Sequence, residues 1–127
     1  MIYPRNNKKY FFEIDKNEDN FFYFQLKDEE GNIYLERGAY TYKTNCKHGI
    51  KSVIRNSKNR ERFIIKQASN KKWTCSLTAG NGRAIAFTPY FKTKFKIEKF
   101  VEDLPRKVHL AKFSDKTKRI PQWTINN

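Results

Sequence analysis

The chain has 127 residues, of which 38% are hydrophobic and 16% aromatic, and its formal net charge is +14. This length suits one compact unit, or two small repeats that share a core. An apolar run near the roughly 18 residues of a membrane-spanning helix is missing, and the first residues lack the apolar stretch of a signal peptide. We therefore expect a cytoplasmic protein with no membrane partner.

The first part of the chain predicts three strands followed by a helix. Residues 1–9 are polar and basic, which is typical of a flexible N-terminal arm. Apolar and polar residues then alternate in three short runs, which predicts strands at 10–15, 21–27 and 33–37. Apolar side chains next recur at helical spacing, so a helix should begin at Thr41 or Tyr42 and end near Asn56.

The second part of the chain repeats this order. Strands are predicted at 61–67, 72–78 and 84–88, and a second helix should run from about Thr93 to Leu104, where Pro105 should end it. A shift of 51 positions places Phe12 on Phe63, Leu26 on Leu77 and Gly31 on Gly82 without a gap. A constant offset of this kind indicates a tandem duplication.

The start of the first helix carries the most specific motif in the sequence. It resembles the YegP-like family of small bacterial proteins through Tyr40-Thr41-Tyr42-Lys43 and Cys46-Lys47-His48-Gly49-Ile50-Lys51-Ser52-Val53. The resemblance covers roughly residues 10–111. His48 stands where the family usually has Asn, Phe100 replaces the helix glycine in the second copy, and Pro89-Tyr90 interrupts the approach to the second helix.

This resemblance implies an α+β fold: tandem β-β-β-α(-β) repeats sharing an antiparallel sheet packed on two helices, with strands exchanged between the halves. The last exchanged strand is expected at Val108-His109-Leu110. The chain then divides into a basic N-terminal arm (1–9), repeat 1 (10–59), repeat 2 with the final strand (60–111) and a basic C-terminal tail (112–127). The family implies no established chemistry, and therefore no catalytic residue.

Charge is distributed unevenly between the two copies. Residues 1–36 hold five Lys or Arg and eight Asp or Glu, a net charge of −3, whereas residues 37–127 hold twenty-two and five, a net charge of +17. A field of this sign favours a polyanionic partner such as nucleic acid. The alternative is a charge that serves solubility alone or reflects a Lys- and Asn-rich genome.

In the second copy, cations and hydroxyls replace aromatic residues on the sheet face that should point away from the helices. Further lysines lie near the start of the second helix, where a cation is unfavourable unless an anion is bound. The alternative is a solvated strand face. The candidate residues for polyanion binding are Arg62, Lys66, Lys72, Arg83, Lys92, Lys94 and Lys96.

In the first copy, the same sheet face should carry Phe11, Phe21 and Tyr23, which are candidates for binding a partner. Alternatively, a terminal segment or another chain covers them. Acidic neighbours on these strands argue against nucleic acid on this half. Trp123, in the tail, is either packed on an apolar patch or presented to a partner.

Catalysis finds little support in the sequence. The two histidines lie in different elements, and the sequence has no glycine-rich phosphate loop and no paired metal-ligand spacing. We therefore expect a protein that is not an enzyme and binds no cofactor or metal. Cys46 and Cys75 do not correspond under the repeat and are expected to be buried, reduced thiols, with a disulfide or a metal pair as the alternative.

Together these patterns predict a small, basic, non-catalytic protein that engages RNA or DNA, or a nucleoprotein complex, through its second repeat, as a monomer or weak homodimer. One alternative is a protein inhibitor of a nucleic-acid-processing enzyme, similar in general character to anti-CRISPR and other phage counter-defence proteins. A second alternative is a structural module without a polyanionic partner.

Overall fold

A computed structural model describes residues 8–118 and contains seven strands and two α-helices in the order β-β-β-α-β-β-β-α-β. The elements are β1 (Tyr10–Lys16), β2 (Phe22–Asp28), β3 (Ile33–Tyr40), α1 (Lys43–Asn56), β4 (Phe63–Gln67), β5 (Trp73–Thr78), β6 (Ala84–Phe87), α2 (Lys94–His109) and β7 (Lys112–Asp115). A short 3-10 turn, Arg60–Arg62, precedes β4. The predicted α+β class and the starts of both helices are confirmed.

All seven strands form one sheet in the order β4-β5-β6-β3-β2-β1-β7. The sheet was expected to be antiparallel throughout, and this is wrong at one edge, where β7 pairs with β1 in parallel. A parallel neighbour needs a long crossover connection, and α2 provides it by carrying the chain from β6 back to the first half. The last strand is therefore shared between the halves.

Both helices pack on the same face of the sheet. Fully buried side chains from the strands, among them Phe12, Phe24 and Leu26, meet buried side chains of the helices such as Ile50 and Leu104. These residues form one continuous apolar cluster. The amphipathic pattern of each helix is explained by this single buried stripe.

The two halves share local geometry at a spacing of 51 residues. Gly31 and Gly82 both have a positive φ, of 87° and 82°, in the turns before β3 and β6. Lys43 lies 5.8 Å from the centre of the Phe22 ring, and Lys94 lies 5.7 Å from that of Trp73. The β-β-β-α order thus occurs twice, while an origin by duplication stays a prediction.

The end of α2 differs from the prediction. The helix does not end at Pro105 but continues to His109, because Leu104 and Val108 on either side of the proline are both buried against the core. Proline removes one helical hydrogen bond, and this packing offsets the loss. The last strand consequently begins at Lys112, inside the predicted tail, and Val108-His109-Leu110 is not a strand.

The lysine of the helix-start motif anchors the last strand. Lys43 Nζ lies 2.9 Å from Asp115 Oδ2, and the backbone N–H of Lys116 donates to the Ile14 carbonyl at 2.9 Å. The side chain and backbone N–H of Thr117 donate to Asp115 as well. These hydrogen bonds to the charged form lower the pKa of Asp115 to about 2, against the opposing effect of burial.

Gly49 allows α1 to approach the sheet closely. A Cβ at this position would overlap the hydroxyl of Tyr40 and would lie 3.1 Å from a ring carbon of the fully buried Phe24. The corresponding residue of α2, Phe100, instead stacks between Tyr34 and Phe91. The two helices therefore lie on the sheet in different ways.

We predict that Gly49→Ala lowers the free energy of unfolding by about 1–3 kcal/mol, because overpacking of a close contact costs this much. Urea unfolding followed by circular dichroism measures the effect. Lys51→Ala, at an exposed position of the same helix, is the control and should change stability by about 0.5 kcal/mol or less. A gain of about 1 kcal/mol on Gly49→Ala, as expected for a helix glycine with free space around it, would contradict the close approach.

Candidate functional site

The sheet face opposite the helices carries a row of directly neighbouring residues from all seven strands. In strand order from β7 to β4 the row consists of Ser114, Glu13, Gln25, Glu36, Phe87, Ser76 and Ile64. Within residues 8–118 no helix packs on this face. The row changes character between β3 and β6, from acids and amides to apolar and hydroxyl side chains.

A groove lies on the second half of this face. We call it the aromatic groove; it has a volume of about 410 Å³ and is lined by Ile64, Lys66, Thr74, Cys75, Ser76, Phe87, Thr88, Pro89 and Tyr90. Its large apolar side chains are unusually exposed, at 42% for Ile64, 41% for Phe87 and 58% for Tyr90. None of the lining residues is acidic. Exposed apolar groups clustered in this way mark an interaction surface.

Strand pairing places the side chains of the groove in two rows. Ile64 on β4 and Phe87 on β6 flank Ser76 on β5. Lys66 faces Thr74 in the next row. An isolated bridge between Trp73 and Phe91 brings Tyr90, the residue before Phe91, beside Thr74. Each row therefore holds a β4 side chain, a hydroxyl and an aromatic ring.

Cationic side chains lie on two sides of the groove. Lys72 directly precedes Trp73 and Lys92 directly follows Phe91, so both lie next to the bridge between these two residues. Both lysines are exposed, as is Lys66. On the other side, the guanidinium carbon of Arg37 lies 5.8 Å from the centre of the Phe87 ring.

The structure divides the predicted polyanion residues into groups instead of placing them on one face. Lys66 lines the groove, and Lys72 and Lys92 lie at its end. Lys94 and Lys96 belong to the start of α2, where Lys94 Nζ is 3.8 Å from Glu98. Arg62 and Arg83 lie at the opposite end of the strands, and the Arg62 guanidinium is close to Gly80.

The aromatic residues predicted in the first half are less exposed than those of the groove, and only Phe21, at 39%, comes close to them. Phe11 is half-buried opposite Lys112 on β7. Tyr23 is half-buried opposite Asp15, and burial, followed by the charge of Asp15, raises its pKa. Trp123 lies outside the described residues.

Sequence reasoning missed Phe87 and Tyr90, the two exposed aromatic rings that line the groove. Phe87 alternates with Ala86, which is fully buried, so strand alternation could have placed Phe87 on the open face. Tyr90 had no such signal, because it follows Pro89 outside any strand. Arg37 approaches Phe87 only through the pairing of β3 with β6, which joins distant parts of the sequence.

The acids of the first half are bound to groups of the protein itself. Glu13 is only 5% exposed, and its Oε1 lies 2.8 Å from Lys27 Nζ and 3.5 Å from Lys116 Nζ. Glu36, the acid nearest the groove in the row, accepts a hydrogen bond of 3.1 Å from Gln25. The Glu36 carboxylate is thereby drawn towards the first half of the face.

Neither a metal site nor a membrane span is found in residues 8–118. No three His, Cys, Asp or Glu side chains are grouped so that they could hold a metal ion. No helix in this range has the length and apolar character needed to cross a membrane.

Comparisons with known proteins give a consistent result. Residues 17–63 match a family model described as a domain of unknown function, DUF1508. The chain is 40% identical to the UPF0339 protein YegP of Escherichia coli K12 over 65% of this chain and 74% of that protein. It is 30% identical to the UPF0339 protein PA0329 of Pseudomonas aeruginosa over 84% and 96%. The solution structure of E. coli YegP, a protein of unknown function, has a TM-score of 0.77, at 31% identity over 88% of this chain and 97% of that one.

Both cysteines are buried and unpaired in the structure, at 0% and 3% exposure for Cys46 and Cys75. Burial raises the pKa of each thiol to about 11, which leaves little thiolate to react at neutral pH. We predict that iodoacetamide modifies neither thiol in the folded protein and both after unfolding without reductant. Mass spectrometry counts the added groups; two thiols that stay unmodified after unfolding would show a disulfide instead.

Proposed function

The chain belongs to the UPF0339 (YegP) family, and from that premise we propose that it is a non-catalytic protein that binds nucleic acid through the aromatic groove. The observation that carries this proposal is the combination of exposed aromatic rings with exposed lysines in a groove that no acid lines. Aromatic rings stack on bases and lysines contact phosphates, and surfaces that bind nucleic acid combine both.

The lysines at the groove have no acidic partner in the part of the chain that the structure describes. Among the ion pairs within residues 8–118, none involves Lys66, Lys72 or Lys92. Lys72 and Lys92 also flank the same bridge, and like charges that face each other across strands are destabilising. A polyanion would relieve this repulsion, which supports a phosphate backbone at this end of the groove.

The long-range field favours the same half of the molecule. Between Arg37 and Ile97 the sequence contains a single acid, Glu61. The first half instead carries Asp15 and Glu36 on its part of the open face, and Glu13 there is paired with Lys27 and Lys116. The cationic field of β4, β5 and β6 therefore supports a polyanion on the second half of the open face.

We predict that the triple variant Lys66→Glu, Lys72→Glu, Lys92→Glu weakens binding of a labelled oligonucleotide at least about tenfold at low salt, because three phosphate contacts are lost. The slope of log K against log salt should also become shallower by roughly 2, since each contact contributes about 0.7 to 0.9. Fluorescence anisotropy between about 50 and 200 mM salt measures both quantities.

The matched control is Lys47→Glu, Lys51→Glu, Lys58→Glu, which makes the same change in net charge at exposed positions on and just after α1. Its binding should stay within about threefold of the wild type, because α1 packs on the opposite face of the sheet from the groove and salt screens surface charges over a Debye length of about 10 Å. Equal losses from both variants, or a wild type that binds no oligonucleotide at low salt, would overturn the proposal. In that case a protein partner would remain as the explanation for the exposed groove.

A further inference from the structure

The spacing of the aromatic rings points to the kind of nucleic acid that fits. Resting on the proposed function, we infer that the aromatic groove selects single-stranded over double-stranded nucleic acid and holds two unpaired bases, one on Phe87 and one on Tyr90. The strand geometry of the groove and the hydroxyl group in each of its two rows support this ligand.

Phe87 and Tyr90 lie beside β5 residues that are two positions apart. Phe87 pairs with Ser76, and Tyr90 lies beside Thr74 through the Trp73–Phe91 bridge. Alternate residues of a strand are separated by roughly 7 Å, about twice the 3.4 Å between stacked bases along one strand of a duplex. Two neighbouring bases can therefore occupy both rings only in an extended, unstacked strand.

Two β5 residues, Thr74 and Ser76, lie between the aromatic rings and β4, where they can form hydrogen bonds to base edges. Neither Thr74 nor Ser76 uses its hydroxyl in a hydrogen bond within residues 8–118, and each lies in the same row as an aromatic ring. A hydroxyl both donates and accepts, so it suits any of the bases. The Watson–Crick edges of unpaired bases are accessible to such groups, whereas those of a duplex are engaged in pairing.

The cations lie where the phosphates of an extended strand would pass. Lys72 and Lys92 lie beyond Tyr90, at one end of the groove. Lys66 lies in the same row as Tyr90, and Arg37 approaches Phe87 from β3. A cationic side chain thus lies near each of the two rings. A duplex could reach these cations with its backbone, but its stacked bases could not reach the rings.

The test compares a short single strand of mixed sequence with the duplex of the same sequence. It uses the full chain and two double variants, Phe87→Ala, Tyr90→Ala and the control Tyr42→Ala, Phe113→Ala. The second pair removes two exposed aromatic side chains outside the groove. Thermal unfolding checks that each variant is folded. Phe87→Trp, Tyr90→Trp keeps two stacking surfaces and provides a rescue.

We expect the wild type to prefer the single strand at least about tenfold, because each stacked base contributes about 1–3 kcal/mol. Phe87→Ala, Tyr90→Ala should lose that preference and leave duplex affinity unchanged, whereas the control pair and the Trp pair should retain it. Equal affinity of the wild type for the single strand and the duplex would overturn this inference. If the triple lysine variant then bound both nucleic acids more weakly, the proposed function would stand. A wild type that binds neither form would overturn both.

Discussion

The placement of both helices on one face of the sheet is the constraint on which the rest of the structure depends. The strands then direct a row of apolar side chains, such as Phe12, Leu26 and Leu77, to that face, because there these side chains are removed from water. The other face is left open in the described part of the chain. The side chains on this face are free to serve a partner, because the core does not require them to be apolar.

The two halves carry different side chains on the open face, although their strands are arranged in the same order. In the first half, Glu13 is nearly buried beneath Lys27 and Lys116, so its charge is balanced within the protein. In the second half, the lysines beside the exposed rings of the groove have no acidic partner within residues 8–118. The pairing of Glu36 with Phe87 joins the halves and marks the boundary between them. A surface with balanced charges and a cationic surface thus lie side by side on one sheet.

Much of the fold could be predicted from the sequence because local periodicity determines it. The first six strands and both helix starts follow from the spacing of apolar residues. The path after Pro105 could not be predicted, since burial of Val108 outweighs the loss of one hydrogen bond. The site was predicted only in part: Lys66 lies in the groove, whereas Arg37, Phe87 and Tyr90 come together through strand pairs that link distant segments.

The central claim is that nucleic acid binds to the open face of the second half. Backbone amide shifts in a two-dimensional NMR titration with a short single-stranded oligonucleotide test it most directly. We expect the largest changes at Lys66, Thr74, Ser76, Phe87 and Tyr90, and little change on β1, β2 or α1. Shifts centred on the first half, or on the outer face of the helices, would contradict the account.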